Sequence, residues 1–148
     1  MFEIMKSLKS LLNEINEIDE VTIENRKKIE DIAIGCTYLR ISESAIAETY
    51  TTVDNTITHS YNIELSIIKK VTGCSDSNTN EQMADIYNTV IAKLQSNHSS
   101  KKYSSLHVNT VSCTNITGTY DYRTHLHYEA SKRIEITCIK YDNLDAIT

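Results

Sequence analysis

The sequence has no proline and no tryptophan, one phenylalanine and three glycines. Gly35, Gly73 and Gly118 lie far apart. A dinucleotide fingerprint or a phosphate loop needs clustered glycines for close backbone approach, so neither can be assembled. Apolar runs are short: stretches such as Ile32-Ala33-Ile34 and Val90-Ile91-Ala92 fall far below the roughly 20 residues of a membrane span. No basic excess exists either. Lys and Arg number 15 against 20 Asp and Glu, a net charge of −5. That balance argues against a protein that binds phosphate backbones, and no sequence-specific nucleic-acid partner is expected. The four cysteines contain no C-x-x-C pair. Met1 to Lys6 carries Glu3 and lacks the basic start, apolar core and cleavage site of a secretory signal. Reduced thiols in a cytosolic setting are therefore expected. The N-x-S/T triplets at Asn97 and Asn115 then have no glycosylation meaning.

What is present fits one globular domain, 1–148. A chain of 148 residues, 40% hydrophobic and 24% charged, lies within the single-domain range and near globular averages. It is long enough to bury roughly two thirds of its unfolded surface without disulfide staples. Abundant Ile, Asn, Lys and Tyr indicate an AT-rich coding source and carry no functional message.

The opening segment has a helical period. Ile4, Leu8, Leu11, Ile15 and Ile18 recur at three- and four-residue steps, with Lys6, Lys9, Asn13, Glu14 and Glu17 opposite, predicting an amphipathic helix over roughly 2–18. Val21-Thr22-Ile23 is a short strand by its β-branched content. The charged stretch Glu24 to Asp31 reads as a loop or helical turn. From Ile32 the period becomes two, predicting a strand toward Ile41 and a second over Ala45 to Val53. Asp54-Asn55 suits a turn. Ile57 to Ile67 then alternates strictly, with Tyr61, Ile63, Leu65 and Ile67 inward and Asn62, Glu64 and Ser66 outward.

Gly73 to Asn78 is a turn-rich loop, and Thr79-x-x-Gln82 has the form of a capping box. Met83, Ile86, Tyr87, Val90 and Leu94 place a second amphipathic helix at about 80–95. Strand chemistry returns over Tyr103 to Thr119, then, after a turn centred on Gly118, over Tyr122 to Ala130 and Arg133 to Tyr141. Runs of strands punctuated by helices predict an α+β fold: a single antiparallel β-sheet with two amphipathic helices packed on one face.

His125-x-His127 is the most tempting pair for chemistry. On a strand the two imidazoles share a face and could reach one metal, with a third ligand from His59, His107, Cys36 or Cys113. None of these stands at a diagnostic spacing, so the pair reads as solvent-facing or interface histidines. Cys36 and Cys138 fall at buried strand positions, where cysteine behaves as a small hydrophobe. Cys74 falls in a loop and Cys113 in mid-strand. Serines and threonines abound, but none occupies a nucleophile elbow or an S-x-x-K arrangement suggestive of activation. The acidic pairs Glu17/Glu20 and Glu43/Glu48 are spaced for a surface. Basic groups at Arg26-Lys27-Lys28, Lys69-Lys70, Lys101-Lys102 and Lys132-Arg133 read as solvated. Nine tyrosines stand mostly in predicted strands among Thr, Ser, His and Glu. Base-stacking platforms interleave aromatics with basic residues, so sheet packing or subunit interfaces suit these tyrosines better. Catalytic, cofactor-binding and metal residues are all expected to be none.

The layout resembles the tail-terminator, or tail-completion, proteins of long-tailed bacteriophages and related contractile particles. The matching segments are Phe2 to Leu12, Ser60 to Ile68, Asn80 to Leu94 and Arg133 to Tyr141, a match of pattern over nearly the whole chain. Neighbouring head-to-tail connector proteins share that pattern. The resemblance implies a structural protein that forms a ring homo-oligomer, commonly a hexamer. Such a ring caps the tail tube, stops its growth and docks to the head-tail connector. Its partners would be further copies of itself, the tail tube protein and the connector protein, with no membrane. Its place would be the virion, at the head-proximal end of the tail, after assembly in the host bacterial cytoplasm. A small phage-encoded module that binds a ligand or host factor is the alternative of a different class.

Overall fold

The computed structural model describes residues 1–24, 31–72, 77–100, 102–123 and 125–143. The run Arg26-Lys27-Lys28, the loop segment from Gly73 to Asp76 with Cys74, and Lys101 and Thr124 lie outside the described residues.

Helix α1, Phe2–Leu12, buries Ile4, Met5, Leu8 and Leu12, one stripe of its surface. Glu3 in its first turn and Lys9 in its last complement the helix dipole. It is shorter than the apolar spacing predicts. The chain leaves the helix at Asn13, and Ile15 and Ile18 are buried from successive short turns instead. Strand β1, Glu20–Ile23, pairs in parallel with the start of β2, Thr37–Val53, through Val21↔Leu39. The sheet is therefore mixed, and the expectation of a purely antiparallel sheet fails at this edge. The reason is non-local: a strand's composition does not reveal the direction of its partner.

Strands β2 and β3, Thr56–Val71, form a long antiparallel hairpin. Asp54-Asn55 closes it where expected, with Asp54 at φ 53, a left-handed conformation that Asp tolerates and tight hairpin turns use. Helix α2, Ser77–Ser96, is followed by β4, Ser105–Val111, β5, Asn115–Asp121, and β6, His125–Asn143. The strand order is β1-β2-β3-β6-β4, with β5 also paired to β6. Strand β4 lies along the C-terminal part of β6 and β5 along its N-terminal part. Among the described residues the fold is α+β, with a six-stranded, mostly antiparallel sheet and two helices.

Several local expectations change. Residues 31–36 are turns, with Gly35 at φ 86, so the strand starts at Thr37 rather than Ile32. The two strands expected over 32–53 are one. Those expected over 122–141 are also one, because Lys132-Arg133 interrupts the apolar pattern without interrupting the pairing to β3. Gly118 lies inside β5, and the turn falls after Asp121. Helix α2 begins before Thr79, so Thr79 is not its cap, and the Gln82 amide oxygen accepts a hydrogen bond from Lys69 Nζ at 3.0 Å.

One hydrophobic cluster holds the sheet and both helices together. Ile63, Leu65 and Ile67 of β3, with Leu39, Ile41, Ile134, Ile136 and Cys138 from its neighbours, share it with Ile4, Leu8, Met83, Ile86 and Val90. A smaller cluster of Ile32, Tyr38 and Ile68 forms apart from it. Tyr38 and Ile68 are cross-strand partners one position out of phase with Leu39 and Ile67. By strand alternation they lie on the opposite face of the sheet.

Candidate functional site: the two ends of the sheet

The hairpin of β2 and β3 continues well past the buried core, and its shape is set by one irregularity. Glu43 pairs with Ile63 and Glu48 with Tyr61, so Ser44 to Ala47 stand opposite Asn62 alone. Asn62 Nδ2 donates to the Ile46 carbonyl at 2.8 Å, and Thr137 Oγ1 donates to Asn62 Oδ1 at 2.8 Å. This bulge reverses which β2 side chains face which side: odd positions precede it on the core face, even positions follow it. Glu48 and Tyr50 consequently share a face with His59 and Tyr61. His59 Nε2 lies 3.2 Å from Asp142 Oδ2, and Glu48 Oε1 lies 3.4 Å from Nδ1 as an electrostatic contact. The imidazole stacks on Tyr61 with ring centroids 5.9 Å apart. Burial, then the Glu48 and Asp142 carboxylates, push the Tyr61 phenol above its ordinary value. These contacts tie β2, β3 and β6 into one arm. Its Ile46, Tyr50, Val53 and Tyr141 are nonetheless exposed, Tyr50 at 71%.

The other end is the hairpin of β5 and β6. Tyr120 and Leu126 are cross-strand partners and both are exposed, with Tyr122 beside them in the turn. Gly118 faces Tyr128 across the pair, and a Cβ on it would meet the Tyr128 ring at 3.4 Å and Leu126 Cδ1 at 3.8 Å, ordinary contact distances. Asp121 Oδ1 accepts from the Arg123 backbone N–H at 2.9 Å, which shapes the turn. The Arg123 guanidinium stands over the Tyr122 ring and reaches Asp31 at 3.4 Å, both side chains about half exposed.

Beneath that turn lies a deeply buried ion pair. Lys70 and Asp121 form an ion pair with both side chains almost wholly enclosed, and His127 is buried as well. The hydrogen bond from Lys70 holds the Asp121 carboxyl down at about 2, from 3.8. A cavity of about 290 Å³ opens beside the pair, lined by Asp31, Ile32, Ala33, Lys70, Asp121 and Arg123. Residues 31–36 run along it, and the Gly35 N–H donates to the Lys70 carbonyl at 2.8 Å.

The histidine pair does not behave as one unit. His125 is exposed with φ 62, whereas His127 is 1% exposed within its own chain, so the expectation of solvent-facing or interface histidines fails for His127. Among the described residues no group of three or more His, Cys, Asp or Glu side chains is placed to hold a metal. Among the described residues no helix is long and apolar enough to cross a membrane. Cys138 is buried, and its thiol is pushed up to about 12 by that burial. Cys36, expected in a buried strand position, is half-buried in the turn before β2. Cys113, expected in mid-strand, is exposed between β4 and β5. Lys70, expected on a solvated basic surface, is 2% exposed. Sequence reasoning missed Lys70 and Asp121 because their partnership needs the registers of β3, β5 and β6. A search against protein-family models and one against curated proteins found no match to this chain.

Proposed function

We propose that this chain is a structural protein of a phage or phage-like tail, assembling as a ring that ends the tail tube and docks to the head connector. Both helices pack on one face of the sheet in this reading, and the sheet ends and opposite face serve assembly. The observation that carries it is the projecting arm. Ile46, Tyr50, Val53 and Tyr141 stay exposed on an arm of β2, β3 and β6 that Asn62, Thr137 and His59 hold in shape. A hairpin that served only to connect strands would need neither that apolar surface nor that bracing. From Ser42 to Val53 the outer edge of β2 lies beyond the short β1 pairing, and an edge of that kind invites pairing with another chain.

The test is location. An epitope-tagged copy labelled with gold should decorate intact tails at one point, the head-proximal end. Label along the tube, or none on the particle, would overturn the reading. A second reading, a small ligand-binding module, is favoured by the cavity of about 290 Å³ beside Lys70 and Asp121.

A further inference from the structure

The arm and the β5–β6 turn each carry an exposed apolar patch, and they lie at opposite ends of one strand. Asn143 of β6 pairs with Thr56 at the arm's tip, and His125 pairs with Asp121 at the far turn. The 19 residues of β6 span roughly 60 Å at about 3.3 Å per residue. The two patches cannot meet within one chain. Their chemistry is alike, exposed tyrosine with aliphatic side chains: Tyr50 and Ile46 on the arm, with Val53 on its other face, and Tyr120 and Tyr122 with Leu126 at the turn.

Their charges differ. The arm carries exposed carboxylates at Glu43, Glu48 and Asp54. The far turn presents the exposed guanidinium of Arg123. The partner of Arg123, Asp31, is itself half exposed, and ion pairs of that kind contribute only about 0–1 kcal/mol. Arg123 can therefore exchange Asp31 for a carboxylate on another molecule at little cost. Glu48 and Tyr50 stand two residues apart on one face of β2 after the bulge, and Tyr122 and Arg123 are adjacent. An aromatic beside a charge is thus presented at both ends, with opposite sign.

We propose that the occupant of each patch is a second copy of this chain: the arm of one copy docks on the β5–β6 turn of the next. Tyr50 packs against Tyr122, and Glu48 pairs with Arg123, whose guanidinium stands over the Tyr122 ring. The contact is heterologous, one patch meeting a different patch, so repeating it closes a ring or extends a filament according to the angle between copies. This rests on the assembly reading above and adds the identity of the surface that receives the arm.

The experiment is a charge swap read by sedimentation velocity on the full chain. Glu48→Lys and Arg123→Glu each place like charges at the contact and should weaken self-association at least about tenfold. The double variant should recover it, as should an equimolar mixture of the two single variants, in which each mutant end meets its complement. Melting curves matching the wild type keep loss of folding apart from loss of contact. Wild-type chain that assembles while both single variants assemble equally well overturns this contact and leaves the ring reading standing. Wild-type chain that stays monomeric at every concentration overturns the contact too, and gold labelling of tails then decides the ring reading separately.

Discussion

Lys70 and Asp121, 51 positions apart in the chain, form a buried ion pair on the face of the sheet away from the main core. Neither residue is distinguished in sequence from its solvated neighbours. Lys69, one position earlier, points the other way, to Gln82 of α2. The pair links β3 to the β5–β6 turn and so fixes where Arg123 and Tyr122 stand.

That pair should show in acid. The folded Asp121 carboxyl lies at about 2, below its ordinary 3.8, so the native state holds its proton less tightly than the unfolded chain. Its contribution is complete above about pH 4 and is lost as pH falls toward 2. Urea unfolding measured across that range should show stability falling with acid. In Lys70→Met the fall attributable to Asp121 should shrink. Lys70→Met should also melt well below the wild type, because it leaves a buried carboxylate without its cation. Lys70→Met with Asp121→Leu should recover part of the loss.

The core prediction is conventional and quantitative. Leu65 is fully buried between β2 and β6 in the main cluster, so Leu65→Ala is expected to cost about 2–5 kcal/mol in denaturant unfolding. A cost below about 1 kcal/mol would mean that the site is not packed as described.

The thiols should separate by accessibility. Cys113 is exposed, while Cys138 is buried with its thiol near 12, and only thiolates alkylate quickly. Iodoacetamide at mildly alkaline pH followed by peptide mass mapping should find Cys113 modified and Cys138 protected until the chain is unfolded.

The arm should be dispensable for folding and needed for assembly. Tyr50→Ser and Glu43→Lys alter exposed side chains and should change stability by no more than about 0.5 kcal/mol. Both should reduce self-association in sedimentation experiments. Large destabilisation by either would show that the arm belongs to the fold's own packing.

Much of this was legible because it is local. The strict alternation of β3 names its buried side, and Asp54-Asn55 marks its turn. Period-3.6 stripes mark both helices, although Ile15 and Ile18 extend the first stripe past the helix's true end at Leu12. The illegible parts depend on pairing. The Ser44 to Ala47 bulge contains no glycine or proline to announce it and is stabilised by Asn62 and Thr137 on other strands. Strand β6 crosses Lys132-Arg133 unbroken because Lys132 snorkels over the Tyr87 ring and Arg133 reaches Glu64 at 3.3 Å. Polar side chains with partners across the sheet look, in sequence, like the end of a strand.

The central claim is that this chain ends tail growth, and the length of tails made without it measures that most directly. Its gene should be deleted from the producing particle, the lysate negatively stained, and the tail-length distribution and head attachment scored against the intact parent. Overlong tails of scattered length, largely without heads, are expected, with recovery when the wild-type chain is supplied in trans. Tails of parental length joined to heads in parental number would contradict the claim and favour the ligand-binding alternative.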